Sequence, residues 1–292
     1  MKKGLKSLFG IFLVVFGIGL YAYPVVKTGI LNWKTEQYVE EFDQKWKDRK
    51  ISEEKERDAL YQEILSYNRE IYEKGQKGFK DAWSYAQSPV SLAGLPDGRF
   101  GYIKISAMDV ILPLYLGASE SNMKKGAAIL GQTSIPIGGR NTNSVIAGHR
   151  GYSGIPFFRE IEKLSVGDQV IIKNPWEELT YRVNSVSIIN PYDSDAVKIQ
   201  EGKEMITLVT CHPYRSRGKY RYVVYCSRDG EKTGKDDPEK ETENEITYFT
   251  SQPDIEQEKL FRKFCAVIFI VAVLFCCFSK RKLRLLTRRK VK

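Results

Sequence analysis

The sequence predicts a mainly β domain preceded by helices and flanked by an apolar helix towards each end of the chain. Three observations predict it. Between Arg99 and Arg228, β-branched and aromatic runs at 100–106, 109–116, 143–148, 168–174, 179–190, 205–211 and 220–227 are separated by Gly, Pro, Asn and Asp clusters. Short strands with turn signals at this spacing close into a barrel or stack as a sandwich. Residues 34–74 are instead rich in Glu, Lys, Gln and Arg, and Trp33, Tyr38, Phe42, Trp46, Leu60, Ile64 and Ile71 recur there at helical intervals. Finally, residues 8–26 and 264–278 are apolar and carry no charge.

Taken in order, the basic residues 1–7 lead into 8–26, a run of a length suited to a bilayer span. Tyr21-Ala22-Tyr23 lacks the small-x-small pattern of a cleavage site, so the segment reads as an uncleaved transmembrane anchor. Residues 27–80 read as a helical stalk, with a capping-box-like SEEK stretch from Ser52. A Gly- and Pro-punctuated connector follows over 81–98, then the β domain over 99–228, with one short helix near 157–163. Asp109, Pro136, Gly138, Gly139 and Asn141 read as turn formers. Residues 229–260 are charged and read as a flexible spacer. A second transmembrane helix is expected over 261–279, with Arg262, Lys263 and Lys280 snorkelling at its rims, and a basic tail over 280–292.

Charge supports this topology. The net charge is +10, from 46 cations and 36 acidic residues, and the two ends alone hold eleven cations and no acid. What remains is about −1 (10 − 11), so the basic balance reflects membrane orientation and gives no reason to expect nucleic-acid binding. Positive outer flanks on both apolar runs place both termini in the cytoplasm and the β domain outside, a two-pass protein of the cell membrane.

The chemistry concentrates at 205–226, MITLVTCHPYRSRGKYRYVVYC. Two β-branched runs around a loop holding Pro213 and Gly218 read as a hairpin, and a symmetric loop sets Cys211 opposite Arg221. A thiol at a strand end facing a forked, always-charged donor suits nucleophilic chemistry. Its proton partner must come from two histidines, His149 and His212. His212 follows Cys211 directly and points to the other face of the strand. His149 ends the run SVIAGH, 62 residues upstream (211 − 149), the layout of Cys/His catalysis. Cys226 pairs near Ile206 in the same register, about 16 Å along the strand from Cys211, which excludes a disulfide between them. Cys265, Cys276 and Cys277 fall in the second apolar run, leaving Cys211 a free thiol outside the membrane. No phosphate-cradling glycine loop, zinc-like Cys/His spacing or internal repeat is present, so no cofactor or metal is expected.

TLVTC with RYVV downstream and SVIAGHRG upstream, supported by GYIKI at 101–105, LPLY at 112–115 and TSIPIGG at 133–139, resembles the sortases, cysteine transpeptidases of the Gram-positive cell surface. The resemblance covers 95–228. It implies an eight-stranded β-barrel, Cys211 as nucleophile, His149 as proton-exchanging partner and Arg221 as oxyanion or substrate stabiliser. Arg221 stands ten residues after the cysteine where the pattern has nine, which keeps Arg215 and Arg217 as rivals. Anchors at both ends resemble the pilin-polymerising, class C sortases. These carry a lid of an Asp, a Pro and an aromatic, and Asp81-Ala82-Trp83 stands in the corresponding connector without the proline, so Asp81 and Trp83 are candidate lid residues. The resemblance implies cleavage of an LPxTG-like sorting motif and transfer to a lysine of another pilin subunit. A housekeeping sortase anchoring surface proteins to peptidoglycan, and a non-catalytic surface scaffold, are the alternatives.

Overall fold

The computed structural model describes residues 2–47, 51–79, 98–216, 218–230 and 250–268, together with Val90, Leu95 and Ile270. The chain divides into two units, residues 28–251 and the two end segments 1–27 with 252–292.

In the larger unit, eight strands close a barrel: β1 (Arg99–Ile105), β2 (Val110–Leu116), β3 (Ala127–Ile129), β4 (Thr142–Ala147), β5 (Gln169–Lys173), β6 (Glu178–Ile189), β7 (Glu204–His212) and β8 (Tyr220–Arg228). Their spatial order is β1-β2-β3-β4-β7-β8-β6-β5, and β5 pairs back onto β1. All neighbours are antiparallel except β2 with β3 and β4 with β7. Seven strands match the expected runs to within a residue or two; β3 has no counterpart, because a three-residue strand is too short to show a period. The helix expected near 157–163 is one 3-10 turn, Ile161–Lys163.

Strand alternation builds two apolar layers. Ile206, Leu208, Val224 and Cys226 pack into the barrel interior with Ile103, Leu114, Ile146 and Ile172. Val145, Ala147, Val209 and Val223 form an outer layer, covered by Tyr115, Leu130, Ile189, Val197 and Met123. Met123 comes from the one-turn helix α3 (Glu120–Met123), which follows the two long helices α1 (Lys2–Lys47) and α2 (Ile51–Glu73).

The expected stalk is these two helices, and α1 runs on without a break through the first apolar run. Tyr38 and Phe42 of α1 pack on Tyr102 of β1, with Tyr38 Oη donating to Gly101 O at 3.1 Å. Leu60 and Ile64 of α2 join the main core, and Asn68 exchanges two 2.9 Å bonds with the Ile135 backbone. Trp33 departs from expectation: it is 56% exposed, turned away from the face that carries Tyr38 and Phe42.

The end segments have a different surface. Phe12, Phe16, Val25, Val26, Phe261, Phe264 and Ile268 all expose more than half of their area. Residues 252–268 are helical, so a helix (α4) begins inside the stretch read as spacer, while 231–249 lie outside the described residues. Among the described residues no helix is long and apolar enough to cross a membrane, and most of the expected second span, 261–279, lies outside them.

Candidate active site

The site forms where β4 and β7 end side by side. Their parallel register pairs Ala147 with Val209, an offset of 62 (209 − 147), so two residues further His149 comes level with Cys211. The pairing continues past the strand end: Gly148 N donates to Val209 O at 3.1 Å and Thr210 Oγ1 to Gly148 O at 2.6 Å. On its other side Gly148 leaves room for Phe158, since a Cβ there would lie 2.6 Å from that ring. The offset seen in the sequence is thus the register of a strand pair.

On the other side of β7, Cys211 pairs with Arg221 of β8 in the expected hairpin register, and Ile206 pairs with Cys226. A cleft of about 450 Å³ opens at this edge, with His149, Cys211, Tyr152, Tyr214 and Arg215 among its lining residues. Its walls are the connections after β4 (149–159) and after β7 (213–216). Thr28 Oγ1, from α1, donates to Gly154 O in the first wall at 3.2 Å.

Three details modify the expected picture. Arg221 does not line the cleft: its Nη1 donates to Gly218 O at 2.6 Å and to Tyr220 O at 3.1 Å. Gly218 stands between arginine and thiol, at φ +84°, where a Cβ would lie 2.7 Å from Arg221 Nη1 and 3.2 Å from Cys211 Sγ. Arg215 does line the cleft, with its guanidinium 5.3 Å from the Tyr214 ring. Arg217, Asp81 and Trp83 lie outside the described residues.

Electrostatics set the resting protonation. Burial pushes the Cys211 thiol above its usual range, against the opposing charges of Arg221 and Arg150. Burial also lowers the His149 imidazole; Lys124 adds to the effect and Glu120 opposes it. Both shifts favour the neutral thiol with the neutral imidazole near pH 7. The His149 ring stacks on Tyr152 at 4.9 Å with 18° between planes, and its buried Nε2 has no hydrogen-bond partner among the described residues. Such a nitrogen, in the same cleft as the thiol, can exchange a proton with it or with a bound substrate.

Residues not singled out from the sequence complete the surroundings. Tyr152, Tyr214 and Arg150 lie one to three residues from the candidate pair, a proximity that could have marked them. Glu162, which pairs with Arg150, had no such signal. Among the described residues no cluster of metal-ligating side chains occurs.

Comparison with known proteins gives the same architecture a family. The sortase-domain family model matches residues 103–229. The chain is 24% identical over 226 residues to sortase D of Bacillus subtilis (strain 168), covering 77% of this chain and 99% of that protein. It is 31% identical over 157 residues to sortase A of Bacillus anthracis, covering 52% of this chain and 72% of that one. The chain belongs to the sortase family. Among solved structures, this sortase resembles sortase C1 of GBS pilus island 1, with a TM-score of 0.58, 25% identity, and coverage of 70% of this chain and 96% of that one. It also resembles sortase C from Clostridium perfringens SM101, with a TM-score of 0.54, 29% identity, and coverage of 66% and 98%. As a sortase it is a cysteine transpeptidase, and its structural neighbours are class C enzymes.

Proposed function

We propose that this sortase joins pilin subunits, with Cys211 as nucleophile, His149 as proton carrier and Arg221 as the charge that steadies the oxyanion. The observation that carries the reading is the parallel β4–β7 register, which sets His149 level with Cys211 in one cleft. Cys211 Sγ attacks the carbonyl carbon of the Thr–Gly bond in an LPxTG-like motif, giving up its proton to His149. The tetrahedral intermediate collapses as the C–N bond breaks, and His149 returns the proton to the leaving amine. A lysine amine of the next subunit then attacks the thioester, loses its proton to His149 and releases the Cys211 thiol. Arg221 serves by turning its guanidinium from the Gly218 carbonyl towards the oxyanion. The kinship with class C structures, one of them a pilus-related sortase C of Group B Streptococcus, favours a pilin lysine as acceptor.

The exposed apolar side chains of Phe12, Phe16, Val25, Val26, Phe261, Phe264 and Ile268, in runs with basic flanks, support anchoring of both ends in the cell membrane with the barrel outside. Protease treatment of intact cells tests this: the barrel is cleaved and epitopes at both termini stay protected. Digestion of either terminus in intact cells would overturn the topology.

Co-expression with a pilin bearing a C-terminal LPxTG-like motif tests the reaction. The expected product is a ladder of covalent polymers that Cys211→Ala abolishes. Arg221→Ala is expected to slow peptide cleavage by about a hundred-fold or more, the usual effect of losing an oxyanion donor. A ladder that persists with Cys211→Ala would refute the nucleophile. Transfer only to peptidoglycan-like amines would move the enzyme to the anchoring class.

A further inference from the structure

Each member of the proposed catalytic pair is followed by a buried residue, Arg150 after His149 at the edge of the cleft and His212 after Cys211. The two meet at one buried carboxylate. Arg150 Nη2 is ion-paired with Glu162 Oε1, and His212 Nδ1 lies 3.4 Å from the same oxygen. The Tyr222 ring lies under both, 5.6 Å from the Arg150 guanidinium and 5.7 Å from the His212 ring. Arg150, His212 and the Glu162 side chain are all buried, the last with 6% exposure. The second oxygen of Glu162 is also engaged. Thr250 Oγ1 donates to Oε2 at 2.8 Å and Ser251 N at 2.9 Å. Ser251 Oγ in turn accepts from Tyr214 N at 2.9 Å, and Tyr214 is part of the cleft wall.

One carboxylate therefore gathers the residue after His149, the residue after Cys211 and a segment about forty residues beyond Cys211 in the sequence. Burial would raise the Glu162 carboxyl, but His212, Arg150 and Thr250 outweigh it and hold the group ionised at about 2. A buried ion cluster adds little net stability over an apolar one, but it accepts few geometries, because each misplaced partner leaves a desolvated charge. We propose that Glu162 and the strap Thr250–Ser251 form a clamp at the ends of β4 and β7 that sets the spacing of His149 and Cys211 and pins the Tyr214 wall. Glu162, Thr250 and Ser251 are on this proposal positioning residues for acyl transfer, which rests on the reading of Cys211 and His149 given above.

The test uses the full chain and an LPxTG peptide, with kcat and KM measured separately and the thioester on Cys211 followed by intact mass. Glu162→Asp keeps the buried charge but shortens its reach, while Thr250→Val removes one hydroxyl with little change of shape. Ser251→Ala removes the tie to Tyr214. A misplacement of about 1 Å costs of the order of a hundred-fold in rate. The expectation is a ten- to hundred-fold loss of kcat for Glu162→Asp and a several-fold loss for Thr250→Val and Ser251→Ala. KM is expected to stay near wild type throughout, and Thr250→Ser, which restores the hydroxyl, to recover the rate. If Glu162→Asp does not fold, the strap variants carry the test, since they leave the ion cluster whole. Unchanged kcat in folded variants, or a loss that Thr250→Ser shares with Thr250→Val, would overturn the clamp. In those cases wild type still acylates at Cys211, so the catalytic reading survives. Wild type that acylates elsewhere would instead refute that reading, and the clamp with it.

Discussion

At the scale of single residues, the same burial acts on both members of the pair in opposite directions. It disfavours the thiolate of Cys211 and the imidazolium of His149, so the neutral pair dominates at rest. The expected signature is in alkylation of Cys211 by iodoacetamide, which reads the thiolate. Its rate should keep climbing with pH through an inflection above the ordinary cysteine value of about 8.5. A plateau already reached below pH 7 would show a resting thiolate–imidazolium pair and contradict the electrostatics. Cys211, His149 and the pairing with Arg221 were legible in the sequence because strand alternation and hairpin symmetry are local rules. That Arg221 turns to the Gly218 carbonyl was not legible, since it depends on the loop's own path. Glu162 was invisible for a similar reason: its partners lie up to 89 residues away.

At the scale of elements, the hairpin loop between β7 and β8 ties chemistry to backbone conformation. Gly218 has positive φ, and any side chain there meets both strain and the Arg221 guanidinium. Gly218→Ala is therefore expected to slow peptide cleavage by ten-fold or more while costing only about 1–2 kcal/mol of stability, compared by urea melts and steady-state kinetics. Unaltered cleavage would mean that the guanidinium works from another position. Strands of five residues or more announced themselves by β-branched runs, whereas β3, with the sequence Ala-Ala-Ile, owes its conformation to its neighbours β2 and β4. The turn formers read from the sequence kept their role, with Asp109 at φ 54° and Asn141 at φ 60°.

At the scale of the molecule, α1 contributes to the barrel's stability. Phe42 meets the Tyr102 ring edge-on at 5.9 Å, and the Arg99 guanidinium lies 4.1 Å from the Tyr38 ring. Phe42→Ala is expected to cost about 3 kcal/mol, with Tyr38→Ala comparable, because each empties a buried aromatic site. Thermal unfolding of the barrel checks it, and a shift within 1 °C would show that the helix only rests on the surface. The apolar period of 34–74 made these contacts legible, except at Trp33, whose position in the period did not decide its burial.

The candidate pair, His149 and Cys211, is joined by backbone pairing and not by the stretch of chain between its members. His149 comes level with Cys211 wherever β4 lies beside β7, and within the intervening chain only the Glu162 cluster is proposed to trim their spacing. Connections outside that cluster and outside β5 and β6 can change in length without changing which residue faces which. Residues 190–203, which connect β6 to β7, contribute nothing to the cleft lining, so a change in their length leaves His149 level with Cys211. What must be inherited together is the pair of neighbouring strands; the length of chain that separates their ends is free to drift.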